Sequence, residues 1–137
     1  MRAQLLLCDY AQISDGKLHI IGGGIDRISG PGLPPGFTVA IHMQIPWDKA
    51  NQPIPFTLEL LTEDGRAVVT DERGVEIRIQ GAVEAGRPPG LKPGTPLGMP
   101  LVVQAGGIPL TPGRYEWRLS IDGGTNDEWQ QTFTVVA

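Results

Sequence analysis

The stretch Arg114–Gly124, RYEWRLSIDGG, decides the fold class. Tyr115, Trp117, Leu119 and Ile121 alternate with Arg114, Glu116, Arg118 and Ser120. Successive side chains of a strand point to opposite faces, so this period of two marks a strand with one buried and one wet face. Asp122-Gly123-Gly124 follows at once, and Asp-Gly supplies the positive φ that a tight hairpin needs. One-sided burial with hairpin punctuation indicates an antiparallel sheet.

The same two signals recur on either side. Val39, Ile41, Met43 and Ile45 alternate with Thr38, Ala40, His42 and Gln44, and Val75, Ile77 and Ile79 alternate with Glu76, Arg78 and Gln80. Asp15-Gly16 and Asp64-Gly65 are further hairpin signals. The pattern predicts strands over Gln4–Ala11, Lys17–Ile21, Phe37–Ile45, Phe56–Thr62, Arg66–Thr70, Val75–Val83, Leu97–Gln104, Arg114–Ile121 and Trp129–Val136. Ile25–Ile28 is read as continuing the second strand past a glycine kink at Gly22-Gly23-Gly24. About nine short strands predict an all-β, antiparallel two-sheet β-sandwich, immunoglobulin-like or C2-like, as a single domain over residues 1–137. A small barrel is the alternative closure. Helix is expected at most as one turn near Trp47–Asn51, with Asp48 as its cap and Pro53 as its stop.

Composition agrees. Gly (19) and Pro (13) make up about 23% of the 137 residues, just under the level at which a chain reads as disordered. Leu, Ile, Val and Phe make up about 27%, enough to build a core. The net charge of −4 argues against a nucleic-acid binder, which needs Lys and Arg to replace phosphate counterions, and against a polybasic membrane-surface protein. One cysteine, Cys8, cannot close an internal disulfide. A signal peptide and a membrane span are both missing from the reading, so the expected compartment is the cytoplasm, or a virion were the gene phage-borne.

Catalytic constellations are not legible. His19 and His42 fall at outward strand positions, where solvated histidines are expected. Cys8, within Leu5-Leu6-Leu7-Cys8, reads as a small buried hydrophobe. Ser14, Ser29 and Ser120 lack a nucleophile-elbow motif. Asp122, Asp127 and Glu128 border one hairpin and are a candidate calcium site, against the plainer reading of turn chemistry. No catalytic, cofactor or metal residue is assigned.

Two features suit binding better. Trp47, between Pro46 and Asp48, either covers one end of the core or stands out as a contact anchor. Trp117 and Trp129 read as core residues. Gly86–Pro96, GRPPGLKPGTP, is a proline-stiffened connection that either packs on its own sheet or lies across a neighbour. The candidate partner surface is therefore Trp47, Arg87, Pro88, Pro89, Leu91 and Lys92.

Several segments together carry a family resemblance: CDYAQISDGKLHIIGGG, IPWDKANQPIPFTLELLTEDGRAV, EAGRPPGLKPGTPL and LTPGRYEWRLSIDG. Across nearly its whole length the chain resembles a family of small, mostly actinobacterial proteins of unknown function. Their aspartate-alanine opening reads here Cys8-Asp9-Tyr10-Ala11. The resemblance implies a bacterial or phage-borne source and one β-sandwich, and carries over no catalytic residue. In it, Asp48 and Asn51 would fix the Trp47 turn through side-chain hydrogen bonds. The functional expectation is a non-enzymatic protein acting through contact with a protein partner or with itself. The alternatives are a phage virion or particle component and a calcium- or carbohydrate-binding module.

Overall fold

The computed structural model describes residues 1–70 and 74–137. Two sheets pack face to face. One has the order β2-β1-β4-β9, from β1 (Arg2–Ser14), β2 (Lys17–Gly23), β4 (Thr38–Ile45) and β9 (Leu97–Gln104). The other has the order β3-β11-β10-β5-β8, from β3 (Arg27–Ser29), β5 (Ile54–Thr62), β8 (Arg78–Val83), β10 (Gly113–Ile121) and β11 (Gln130–Val136). A two-stranded ribbon, β6 (Val69–Thr70) with β7 (Val75–Glu76), completes the set. The all-β sandwich expected from the alternation is what forms.

The alternation places the core. Val39, Ile41, Met43 and Ile45 of β4 are fully buried, facing Leu58 and Leu60 of β5 and Trp117 and Leu119 of β10. Trp129 is also buried, so both tryptophans read as core residues are core residues. The Asp-Gly turns act as predicted. Asp15 and Gly16 have φ of 54° and 69°, and Asp122 and Gly123 have φ of 54° and 82°, the mirror-image turn that matches strand twist. Near Asp64, the Gly65 amide bonds Thr62 O (2.9 Å) and the Thr62 amide bonds Arg66 O (2.8 Å), closing a three-residue loop with Gly65 left-handed.

Four expectations need correction. Ile25–Ile28 does not continue the second strand. Left-handed Gly22 and Gly24 turn the chain away, and β3 joins the other sheet, parallel to β11 through Thr134↔Arg27 and Val136↔Ser29. That is one parallel pairing in sheets that are otherwise antiparallel, as expected. The predicted strands Arg66–Thr70 and Val75–Val83 are shorter and broken. Val68 and Ile77 leave the ladder to bury themselves, bonded to each other (2.9 Å) and to Leu60 of β5 (2.9 and 3.1 Å). The helical turn is a 3-10 turn, Trp47–Lys49, preceded by Pro46 and without a side-chain cap. Asp48 lies inside it. Main-chain bonds from Lys49 N to Pro46 O (2.9 Å) and Ala50 N to Trp47 O (3.3 Å) hold it instead of the expected Asp48 and Asn51 side chains.

β1 overshoots its neighbour. Its pairing with β4 stops at Cys8↔Thr38, while its pairing with β2 runs on to Ser14↔Lys17. The free arm bends over the outer face of its own sheet, where Ala11 and Leu18 pack with Cys8, Ala40 and Val102 in a second small apolar cluster. Cys8 is fully buried there, with its thiol 3.4 Å from Thr38 O. Burial, and then the Asp9 charge, push that thiol above its ordinary value of 9.0, against a lowering hydrogen bond from the Tyr10 backbone.

Candidate functional site

Register brings the two features singled out from sequence to one end of the sandwich. β4 ends at Ile45, opposite Leu97 at the start of β9, and β5 starts at Ile54, opposite Val83 at the end of β8. The chain therefore crosses between sheets twice at this end, once through residues 46–53 and once through residues 84–96. The crossings are stitched together: the Asn51 amide bonds Ala85 O at 2.8 Å, with Asn51 itself left-handed at φ 60°.

Arg87 makes the second stitch. Its Nη2 and Nε donate to Trp47 O at 2.7 and 3.2 Å, and its guanidinium carbon lies 4.6 Å from the Trp47 ring centroid. Planar, delocalised and weakly hydrated, a guanidinium can stack and fork at once. Trp47 is half-buried and packed against the core, so it covers the core end and still shows part of its ring.

Pro46 and Trp47 from the first crossing, Gly94 and Pro96 from the second, and Met1 beside them line an open groove of about 430 Å³. Arg2, Gln44 and Asp48 add its polar groups. Arg2 and Gln44 also border a polar hollow of about 280 Å³ with Gln4, His42 and Glu128. Beyond Arg87 the second crossing stands in solvent. Pro88, Pro89, Leu91 and Lys92 are all exposed, Leu91 at 41%. Lys92–Thr95 forms a tight turn, with Thr95 N to Lys92 O at 3.1 Å and Gly94 at φ 92°, as Pro-Gly at its centre requires.

Of the six residues named from sequence, Trp47 and Arg87 are brought together, while Pro88, Pro89, Leu91 and Lys92 do not line the groove. Sequence reading missed Pro46, Gly94 and Pro96. Only the pairing of β4 with β9 sets residues 46 and 96 side by side, and that pairing has no local sequence signal.

The hairpin considered for calcium is occupied by turn chemistry. Lys49 Nζ sits 3.1 Å from Asp122 Oδ2, placing an ammonium where a cation would bind. The Asn126 side chain accepts from the Glu128 amide at 2.9 Å. Among the described residues, no group of three His, Cys, Asp or Glu is placed to hold a metal ion, and no helix is long and apolar enough to cross a membrane. His19 is exposed, with Nε2 3.3 Å from Ser14 O, and His42 is half-buried on the outer face.

The fold and the site define a small β-sandwich whose distinctive surface is built by two stitched crossings at one end. The chain belongs to a family of unknown function, DUF6941, whose model matches residues 4–135. No curated protein matches the chain.

Proposed function

We propose that this protein is a non-enzymatic β-sandwich that works through contact with another protein, and that the Trp47 groove is the contact surface. One observation carries the reading: a tryptophan ring held in place by Arg87 forms one wall of a mainly apolar groove. A pre-ordered aromatic wall loses little entropy when a partner docks. The volume of about 430 Å³ suits one or two large apolar side chains of a partner. Arg2 and Asp48 offer charges of both signs to its backbone or flanking residues.

The test is co-purification from native cells, read by quantitative mass spectrometry, with tagged wild-type protein, Trp47→Ala and the distant control Gln131→Ala. A protein retained by wild type and the control, and lost with Trp47→Ala, is the expected outcome. The same set of proteins on all three baits overturns the reading.

A further inference from the structure

The four outer strands of the two sheets are not alike. β9 carries Pro100, which has no amide hydrogen to offer, and is preceded by Pro96. β3 is three residues long and closed off by Gly30-Pro31. β8 carries Arg78 and Gln80 and shows no large exposed apolar side chain. Such features are how edges are protected from pairing. β2 is the least protected of the four: its one backbone irregularity is the left-handed Gly22 close to its end. It runs seven residues, KLHIIGG, without proline, and its only charge is Lys17 at one end. Among the described residues, no main-chain hydrogen bond reaches it except from β1.

Its side chains point the same way. Ile20 and Ile21 are consecutive and so lie on opposite faces, yet they are 39% and 65% exposed. A partner docking on one face would cover one of them, whereas a strand added at the edge covers both. Tyr10, paired with Ile21, and Ile13, paired with Leu18, extend the apolar surface on β1 just behind (39% and 42% exposed), and Leu6 adds 37%. At roughly 200 Å² per full side chain, these five leave on the order of 450 Å² of apolar surface. They lie on both faces of the arm, so edge pairing covers chiefly Ile20 and Ile21, and the paired strand backbone adds to them toward the ~800 Å² per partner of a stable interface.

We infer that β2 is a homodimerisation edge, pairing antiparallel with β2 of a second copy to make one continuous eight-stranded sheet. A second copy fits this edge by symmetry. A two-fold axis normal to the sheet keeps opposed residues on the same face, so residues of like parity meet. Ile20 then opposes Ile20 or Leu18 of the other copy, and Lys17 opposes Gly23 or Ile21. Apolar meets apolar on the outer face, and the strand's one charge never faces itself. This interface is separate from the Trp47 groove, at the other end of β1, so either reading can fail without the other.

The experiment is sedimentation velocity over a concentration series, with hydrogen exchange on the same samples. Wild type is expected to shift from monomer to dimer with a Kd in the micromolar range, and the outward-facing amides within residues 18–22, every second one along the strand, to gain at least tenfold protection as dimer forms. Ile21→Lys, at a position exposed enough to leave folding intact, and Ile20→Lys with Ile21→Lys are expected to weaken the dimer at least tenfold. Leu91→Lys is expected to leave it unchanged. A wild type that stays monomeric to about 1 mM, a dimer in which residues 18–22 gain no protection, or a dimer that survives the double variant overturns the proposal.

Discussion

The Arg87 guanidinium lies 4.6 Å from the centre of the Trp47 ring and donates two hydrogen bonds to the carbonyl oxygen of that same residue. One side chain thus grips another residue at both its ring and its backbone. The two belong to different crossings, forty positions apart, so this grip with the Asn51–Ala85 bond fixes the end of the sandwich where the groove forms. The grip also fixes the position of Trp47. That residue covers the core and serves as a wall, with Arg87 occupying part of its exposed surface.

Replacing Arg87 tests that grip. Arg87→Ala removes the stack and both bonds, and a loss of about 1–2 kcal/mol is expected at this exposed site. Arg87→Lys should recover little of it, because a compact ammonium cannot stack and fork together. Urea unfolding midpoints read the loss. Acrylamide quenching reads the ring: Trp117 and Trp129 are buried, so any added quenching reports Trp47. A lysine variant with wild-type midpoint and wild-type quenching would show that the fork does not hold the loop.

Tyr115 gives a second prediction. Its hydroxyl donates to Thr111 O at 2.7 Å, four residues upstream at the start of β10, the arrangement known in sandwiches as a tyrosine corner. Its ring also stacks on Phe133, centroids 5.7 Å apart. Tyr115→Phe keeps the stack, removes the bond and leaves a carbonyl without its donor, at a cost of about 1–2 kcal/mol. Tyr115→Leu loses the stack as well and should cost more. Thermal unfolding of the pair separates bond from ring. Equal losses would mean that the ring stack contributes nothing, and a Tyr115→Phe variant as stable as wild type that the hydroxyl contributes nothing.

Glycine positions separate strain from collision. A Cβ on Gly16 would meet open space, so Gly16→Ala carries only the penalty of its left-handed φ of 69°, about 1 kcal/mol. A Cβ on Gly32 would run into the Ile108 carbonyl and lie 2.7 Å from the Pro109 Cα. Those are main-chain atoms in a bridged pair, Gly32↔Pro109, and cannot turn aside. Gly32→Ala should cost about 3 kcal/mol, at the upper end of overpacking. Denaturant titration of both variants checks the order, and reversal of that order would refute the account.

The sequence makes some of this legible and hides the rest for a physical reason. Alternation in Val39–Ile45 and Tyr115–Ile121 is local and strong because each strand buries one face, so the strands and the core could be read directly. Asp15-Gly16 and Asp122-Gly123 are legible because positive φ restricts which residues can serve. β3 is not legible because three residues carry no period, and only its partner β11 decides its sheet. The groove is half legible: Trp47, and the Arg87 that holds it, stand out by residue type, whereas Pro46 and Pro96 meet only through the long-range pairing of β4 with β9. The bent β1–β2 arm has no local signal either, since Ala11 and Leu18 are ordinary strand residues until Ala40 and Val102 lie beneath them.

Cys8 offers a pH test of that arm. Burial in the cluster under the arm, and next the Asp9 charge, raise its thiol above 9.0 in the fold, while the unfolded chain titrates near that ordinary value. Between the two values the unfolded state has lost its proton and the folded state has kept it. The contribution is therefore fully present below about pH 8 and falls as pH rises through 9 toward the folded value, at up to about 1.4 kcal/mol per pH unit. Other groups titrate in that range too, so the quantity to measure is the difference in urea stability between wild type and Cys8→Ala from pH 7 to pH 10.5. It should shrink steadily above pH 8.5. Asp9→Asn removes the second cause and should narrow the window. Reaction with a disulfide probe supplies the structural half: the thiol should stay unreactive at pH 8 in the folded protein and react at once in urea. A stability difference independent of pH, with a promptly reactive thiol, would mean that the arm does not close over the sheet.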